Sequence, residues 1–474
     1  MPCLALEQAF TEVPLDETVF MLQPKSHVKK NYELYVFRLI KALYGTKQAA
    51  RAFQRHLRNI LAEIGFNPLL SDNGTYYKSV GKEWIIIPTH VDDLFPVSNS
   101  PKLQKSTFDF LSRKLKVKNL GEISLALKTN IEIDHKLGVL KLSSGPYIRE
   151  LLDRYGMKNC KSKDTPMSTD PSHKITPDDF TDQSDSDREL ATKKPIRQLI
   201  GSLWWLVHMC RPDLLLAVHE LSKFMDKPTI KLWKALNRIL RYLKGTENLG
   251  LVMVKPENKL SINPLTAWVD SDWGACLKTR KSRSGGFITF YGMVISWFSE
   301  MQTSVAQSTC ESECYGVRII SNTVKWIRDI LEQINMGTEN PTPVYIDNES
   351  SILLCNNGPL SKRSRHYDIA WHKTRELAAL NIICPIFIRT HEQPADVFTK
   401  PLDFKTFWSW MSDIMGSMEL QNHFSTCFEK IDDGFFSSDT EELESDREAK
   451  LAKIIEKSRL DKLARKRAKR AKKK

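Results

Sequence analysis

The chain has 474 residues, 41% of them hydrophobic and 27% charged, which is the balance of a folded chain and enough length for about three domains with cores of their own. Its formal net charge of +13 points to an anionic partner, but residues 459–474 alone hold ten basic residues and one acid, so the bias is mostly a tail. The longest apolar runs, "LWWLV" and "DLLLAV", stop far short of the roughly twenty residues of a membrane-spanning helix, "MPCLALEQAF" lacks the basic start of a secretory signal, and nine cysteines with no CxxC or paired framework point away from zinc and disulfides, toward reduced thiols of the cytosol or nucleus.

The first region, 1–165, mixes short apolar strands with helical stretches. Within it "THVDDLF" sets Asp92 and Asp93 side by side at the bend of a hydrophobic hairpin running from "EWIII" to "PVSNS". Two carboxylates there are costly without a positive partner, and a divalent metal is the usual one. Polymerases hold two ions on such a pair, with a third carboxylate nearby. A polar, core-poor linker follows at 166–190, with "STDPSHKITPDDFTDQSDSDRE" as its body.

Region 191–263 reads as helical. Leu199, Leu203, Leu206 and Cys210 recur at helical spacing after Pro195, and Leu214, Val218, Leu221 and Met225 do so after Pro212, each proline suiting a first turn. A third helix runs from Pro228 to near Gly245 on an apolar stripe of Leu232, Leu236, Ile239 and Leu243. Lys231, Lys234, Arg238 and Arg241 share another face of it, which is either a solvated surface or a track for phosphates.

Region 264–415 alternates strands and helices. "LTAWVDSDW", "GGFITFYG" and "MVISWFS" read as three strands, followed by a helix from about Ser308 to Ile334, the strand "TPVYID", the helix "RHYDIAWHKTRELAAL", the strand "CPIFIRT" and a last helix "PADVFTK". That order predicts a mixed five-stranded sheet of the α/β type. The remainder, 416–474, is acidic and Ser-rich, then basic, and reads as a mobile tail.

Four acids of this region stand at the ends of those elements: Asp270 and Asp347 end strands, Glu311 lies in the first turns of the long helix, and Asp396 opens the last one. Brought to one place, they form a cluster of like charges that divalent cations neutralise. Two such ions can activate a water and stabilise a leaving oxygen in phosphodiester cleavage. The plainer alternative is four ordinary surface acids among 57.

"LIKALYGTKQAARAFQ", "THVDDLF", "GSLWWLVHMCRPDLLLAVHELSKFM", "RILRYLKGT", "WVDSDWGACLKTRKSRSGGFITFYGMVISWFS", "QSTCESECYGV", "VYIDNESSI" and "ADVFTKPL" resemble, in order and from residue 4 to about 405, the Pol polyprotein of copia-type LTR retrotransposons. The resemblance implies an α/β (α+β) multidomain chain: part of a reverse transcriptase palm and thumb, a helical connection, and a ribonuclease H-like domain. It also implies Mg2+ or Mn2+, two ions per active site, held by Asp270, Glu311, Asp347 and Asp396 in the ribonuclease H and by Asp92 and Asp93 in the polymerase. The implied substrate is an RNA–DNA hybrid, with other Pol or integrase segments of the parent element as partners and no membrane. Lys47 and Arg51 become candidates for phosphate contacts, as do Arg280 and Arg283; His366 matches a family histidine, and His391 stands close enough to Asp396 to assist product release.

The polymerase portion departs from the family. Where the family has an aspartate five residues before the phenylalanine of "LALEQAF", this chain has Ala5, and Glu7 is displaced by two residues, roughly 7 Å along a strand. Pro88 and Pro96 flank the Asp pair, where ladder donors are needed, His90 replaces an aromatic, and fingers, protease and integrase segments are expected to be missing. The expectation is therefore a retained ribonuclease H with polymerase activity lost. The alternative is a relic, or a nucleic-acid-binding protein without catalysis, the basic tail being compatible with nuclear import or RNA binding.

Overall fold

The computed structural model describes residues 2–7, 9–32, 34–255, 264–356 and 369–416. It divides into two compact units, one of residues 1–123 with 326–338, the other of 124–325 with 339–474. The boundary falls at 123/124, so residues 124–165 lie in the second unit.

The first unit is built on an antiparallel sheet. Its strands are β1 (Pro2–Leu6), β2 (Thr75–Val80), β3 (Glu83–His90), β4 (Asp93–Leu94), β5 (Val97–Ser98) and β6 (Val117–Glu122), in the order β2-β3-β4-β1-β6 with β5 also on β3. Alternation of apolar residues makes one face the core: Leu4, Leu6, Ile85, Ile87 and Leu94 are buried against Phe53, Leu57 and Leu61 of α1 (Ala49–Glu63). Fully burying each of these side chains is worth roughly 1.5–3 kcal/mol. Pro96 lies between β4 and β5. Having no N–H to donate, it splits the return strand in two.

The second unit opens with a small antiparallel sheet of β7 (Thr129–Asp134), β8 (Val139–Ser143) and β9 (Gly250–Val254), the last arriving after the helices. Those helices are α2 (Ile196–Met209), α3 (Leu215–Ser222) and α4 (Ile230–Gly245). The expected stripes are their buried faces, except that Met225 lies beyond α3 and is exposed. The stretch expected to be a core-poor linker contributes Ile175 to the same core.

The α/β sheet follows: β10 (Leu265–Ser271), β11 (Arg283–Phe290), β12 (Met293–Met301), helix α5 (Thr309–Gln333), β13 (Thr342–Ile346) and β14 (Ile383–Phe387). The order is β12-β11-β10-β13-β14, antiparallel through the first three and parallel from β10 to β14. Tyr291 and Gly292, with φ of 51° and 83°, make the tight turn between β11 and β12. Parallel pairing of β10 with β13 brings their C-terminal ends together. The expected last helix is instead a 3-10 turn, Pro394–Phe398, before α6 (Phe404–Met415). Its proline supplies no N–H, and the buried Gln393 anchors it by donating to the Val269 carbonyl at 2.8 Å.

Candidate metal centre

Asp270 stands one residue before the end of β10, and Asp347 follows the last residue of β13. A third acid reaches them from α5, and two close approaches set its depth. A Cβ on Gly316 would lie 2.6 Å from Ser271 Oγ and 3.0 Å from Val269 Cγ2, so α5 meets β10 more closely than any residue with a side chain allows. On the neighbouring strand a Cβ on Gly285 would lie 2.6 Å from Phe398 Cβ, which seats the 3-10 turn against the sheet.

The acid brought in by α5 is Glu313. One carboxylate oxygen each from Asp270, Glu313 and Asp347 lie within 4.8 Å of one another. Glu311, the glutamate expected from the sequence, is elsewhere: its Oε2 accepts from the Gln307 amide at 2.6 Å, while Ser308 Oγ accepts from the Glu311 amide at 3.2 Å. This is a capping arrangement at the helix start, and "STCE" is its sequence signature. Helical phase was the second available signal, since Glu313 lies in step with buried Val317, Ile320 and Val324 and Glu311 does not.

Asp396 reaches the same place from the 3-10 turn, but its Oδ1 is 2.8 Å from the ammonium of Lys400, one turn on, and that ammonium is 4.0 Å from Asp270 Oδ2. The hydroxyl of Thr399 donates to the same Asp270 oxygen.

Glu313 is buried, with Oε1 accepting from the Ser271 amide at 3.2 Å and Oε2 without a hydrogen-bond partner. Burial and the neighbouring Asp270 and Asp347 carboxylates hold its pKa well above the usual carboxylate range. Asp347 is raised by burial and by Asp270. Asp396 is pushed up to about 7 by burial and Asp270, which together outweigh its ion pair with Lys400, whose own pKa is raised by Asp270 and Asp396 against the opposing pull of burial. Three converging carboxylates and an unpartnered buried oxygen fit a hard divalent cation, because an anion so placed is unfavourable until one neutralises it. The all-oxygen donor set suits Mg2+ or Mn2+.

The Asp92–Asp93 pair stands at the turn from β3 to β4, where Val91 takes a φ of 53°. Asp92 Oδ2 accepts from the Tyr44 hydroxyl at 2.9 Å. Asp93 pairs with His90 across the hairpin and with Ala5 across to β1. Directly paired residues project to the same face, so Ala5 occupies the position from which a third carboxylate would join the pair. Glu7 lies beyond the end of β1 and is exposed.

The remaining candidates divide. Lys47 and Arg51 are exposed around the start of α1. Of the basic stripe on α4, three members have partners in the preceding segment: Lys231 with Asp179 at 2.9 Å and the Lys174 carbonyl, Arg238 with Thr165 Oγ1, and Arg241 with the Lys161 carbonyl. Only Lys234 of the four is exposed, so the stripe clamps residues 161–179. Arg283, expected as a contact to nucleic-acid backbone, is 1% exposed; it pairs with Glu220 of α3 and donates to Ser299 Oγ at 2.9 Å. It is a core ion pair, whereas Arg280 sits in the preceding turn with a φ of 55°. His391 is exposed in the short turn Thr390–Glu392. His366 and the basic tail lie outside the described residues.

Comparison with known proteins places these features in context. A family model described as reverse transcriptase (RNA-dependent DNA polymerase) matches residues 3–169. The chain is 35% identical, over 87% of its length, to the retrovirus-related Pol polyprotein from transposon RE1 of Arabidopsis thaliana, and 30% identical, over 84%, to that from transposon TNT 1-94 of Nicotiana tabacum. It spans 27% and 29% of the length of these two relatives. Among solved structures, the N-terminal RNase H domain of Rv2228c from Mycobacterium tuberculosis, solved as a fusion with maltose binding protein, aligns with 31% of this chain and 97% of its own at 11% identity and a TM-score of 0.22.

Proposed function

The chain belongs to the copia-type retrotransposon Pol family, and on that premise we propose that the centre at Asp270, Glu313 and Asp347 cuts the RNA strand of RNA–DNA hybrids as a metal-dependent ribonuclease H. The observation that carries this is the convergence of one carboxylate oxygen each from Asp270, Glu313 and Asp347 within 4.8 Å, with Glu313 buried and its Oε2 without a hydrogen-bond donor. Asp270, Glu313 and Asp347 would hold the ion, and Asp396 would stand beside it under Lys400. A bound Mg2+ or Mn2+ would supply activation of a water and neutralisation of charge at the leaving oxygen. The chain's own contribution is position: the glycine contacts that seat α5 and the 3-10 turn fix four acids at one sheet end before any substrate arrives.

Nucleotide transfer by the first unit has weaker support, because the residue paired with Asp93 is Ala5 and two carboxylates remain where such a site uses three. We propose that polymerase activity is absent, that RNA–DNA hybrid is the substrate, that other Pol or integrase segments are protein partners, and that the protein works in the cytosol or nucleus.

Incubation of the purified chain with Mg2+ and a labelled hybrid is the test. Internal cleavage of the RNA, abolished by Asp347→Asn, is the expected result. Equal turnover by the variant would overturn the assignment, and hybrid binding without cleavage would leave a binding protein in its place.

A further inference from the structure

We infer that Lys400 is the built-in second cation of this centre, so that the chain takes up one divalent ion at the triad where four carboxylates alone would call for two. The inference rests on the metal-dependent reading above and specifies how many ions that site holds.

Three observations carry it. The oxygens that converge belong to Asp270, Glu313 and Asp347, and Asp396 is not among them. The Asp396 carboxylate instead has Lys400 Nζ at 2.8 Å, and the same nitrogen lies 4.0 Å from Asp270 Oδ2, so one ammonium serves both acids. Asp270 Oδ2 also accepts the Thr399 hydroxyl, and the buried Asp396 Oδ1, which has no hydrogen-bond donor, has the ammonium as its ion-pair partner.

The backbone keeps the ammonium there. The amides of Thr399 and Lys400 both donate to the Asp396 carbonyl at 3.1 Å, so acid and cation share one turn and cannot separate without breaking it. Phe398, buried in front of them, closes the turn against the sheet, with its carbonyl accepting from Ser299 Oγ at 2.7 Å.

A divalent ion placed at Asp396 would face the like charge of the Lys400 ammonium at a few ångströms, which opposes its binding there. Glu313 Oε2 and Asp396 Oδ1 both lack a hydrogen-bond donor, but the Lys400 ammonium stands on Asp396, so the first ion goes to the triad. Lys400 is 42% exposed; its remaining donors are open to an anionic group arriving from solvent, such as a backbone phosphate of the substrate.

Counting Mn2+ on the full chain tests this, by equilibrium dialysis and electron paramagnetic resonance, with the Asp347→Asn chain as the baseline for sites elsewhere. Wild type should bind one Mn2+ above that baseline, with the spectrum of an isolated ion. Lys400→Gln should bind two, with the spectrum of a coupled pair, and Lys400→Arg should return to one. Two ions on wild type, or one on a folded Lys400→Gln chain, would overturn the role of Lys400 while leaving the metal site standing. No Mn2+ above baseline in any variant would overturn the metal-dependent reading itself. Should Lys400→Gln fail to fold, an Asp396→Asn chain that still binds one ion supports the assignment, and one that binds none refutes it.

Discussion

Glu311 and Glu313 lie two residues apart on one helix, and their carboxyls serve different purposes: Glu311 accepts the Gln307 amide at the helix start, and Glu313 meets Asp270 and Asp347 beneath it. The two substitutions therefore separate structure from chemistry. Glu313→Gln should lower hybrid cleavage by about three orders of magnitude, the scale of losing a principal electrostatic group, while removing a buried repulsion and leaving or raising the metal-free Tm. Glu311→Ala should cost about 1 kcal/mol of stability, as lost caps do, and leave cleavage within a few-fold. Single-turnover rates and thermal melts of the pair decide it; the reverse pattern would return the ligand role to Glu311.

That pair also shows what could be read in the sequence. Strand order, the mixed sheet and the standing of Asp270 and Asp347 at strand ends were legible, because periodicity and element ends are local properties. The choice between two glutamates depended on the phase of α5, and the apolar stripe that fixes it runs straight through Glu313, Val317 and Ile320. Arg283 reads as a phosphate contact because "KTRKSRSGG" is a run of basic residues; its partner Glu220 lies 63 residues away, a distance no local pattern spans. Lys231, Arg238 and Arg241 gave the signature of a basic face, and nothing local could show that residues 161–179 lie on it. The departure at Ala5 was legible as a missing acid, although its pairing with Asp93 required the sheet.

The centre should make the metal-free protein less stable as pH rises. Glu313, Asp347 and Asp396 all have folded-state pKa values above their unfolded ones, and Asp396 is pushed up to about 7. For a raised acid the stabilisation is complete below the unfolded value, about 4, and is lost as pH climbs through the folded value. Relative to an Asp396→Asn chain, the Tm of the metal-free protein should therefore fall between about pH 4 and 7. Mg2+ affinity should move the opposite way, strengthening over the same interval and releasing protons, because the ion needs deprotonated ligands. Melts in chelator and in Mg2+ across that range check both signs, and parallel curves would contradict the prediction.

Arg283 and Glu220 should behave as a core ion pair. Arg283→Met leaves the Glu220 carboxylate, 22% exposed, with Lys223 alone at 2.6 Å. Removing one member of a buried pair costs roughly 3–5 kcal/mol, and adding Glu220→Gln should recover part of that loss. Urea unfolding of the single and double variants measures the coupling. If Arg283 instead served the nucleic acid, the single variant would keep its stability and lose hybrid affinity with a shallower salt dependence.

Ala5 faces Asp93 across two antiparallel strands, while their neighbours Leu4 and Leu94 pair into the core. An aspartate introduced at position 5 would therefore share the solvent-side face with Asp93 and lie next to Asp92. Without metal, Ala5→Asp should destabilise the first unit by up to about 1 kcal/mol, the size of a like-charge pair directly across strands. Mn2+ or Mg2+ should reverse that loss, since three carboxylates then meet the demand that two do not. Wild type should show no such ion-dependent rise from this unit and no primer extension. Thermal melts with and without Mn2+ in an Asp347→Asn background isolate the effect. An equal metal response in wild type, or primer extension by it, would show that Asp92 and Asp93 suffice without a third acid.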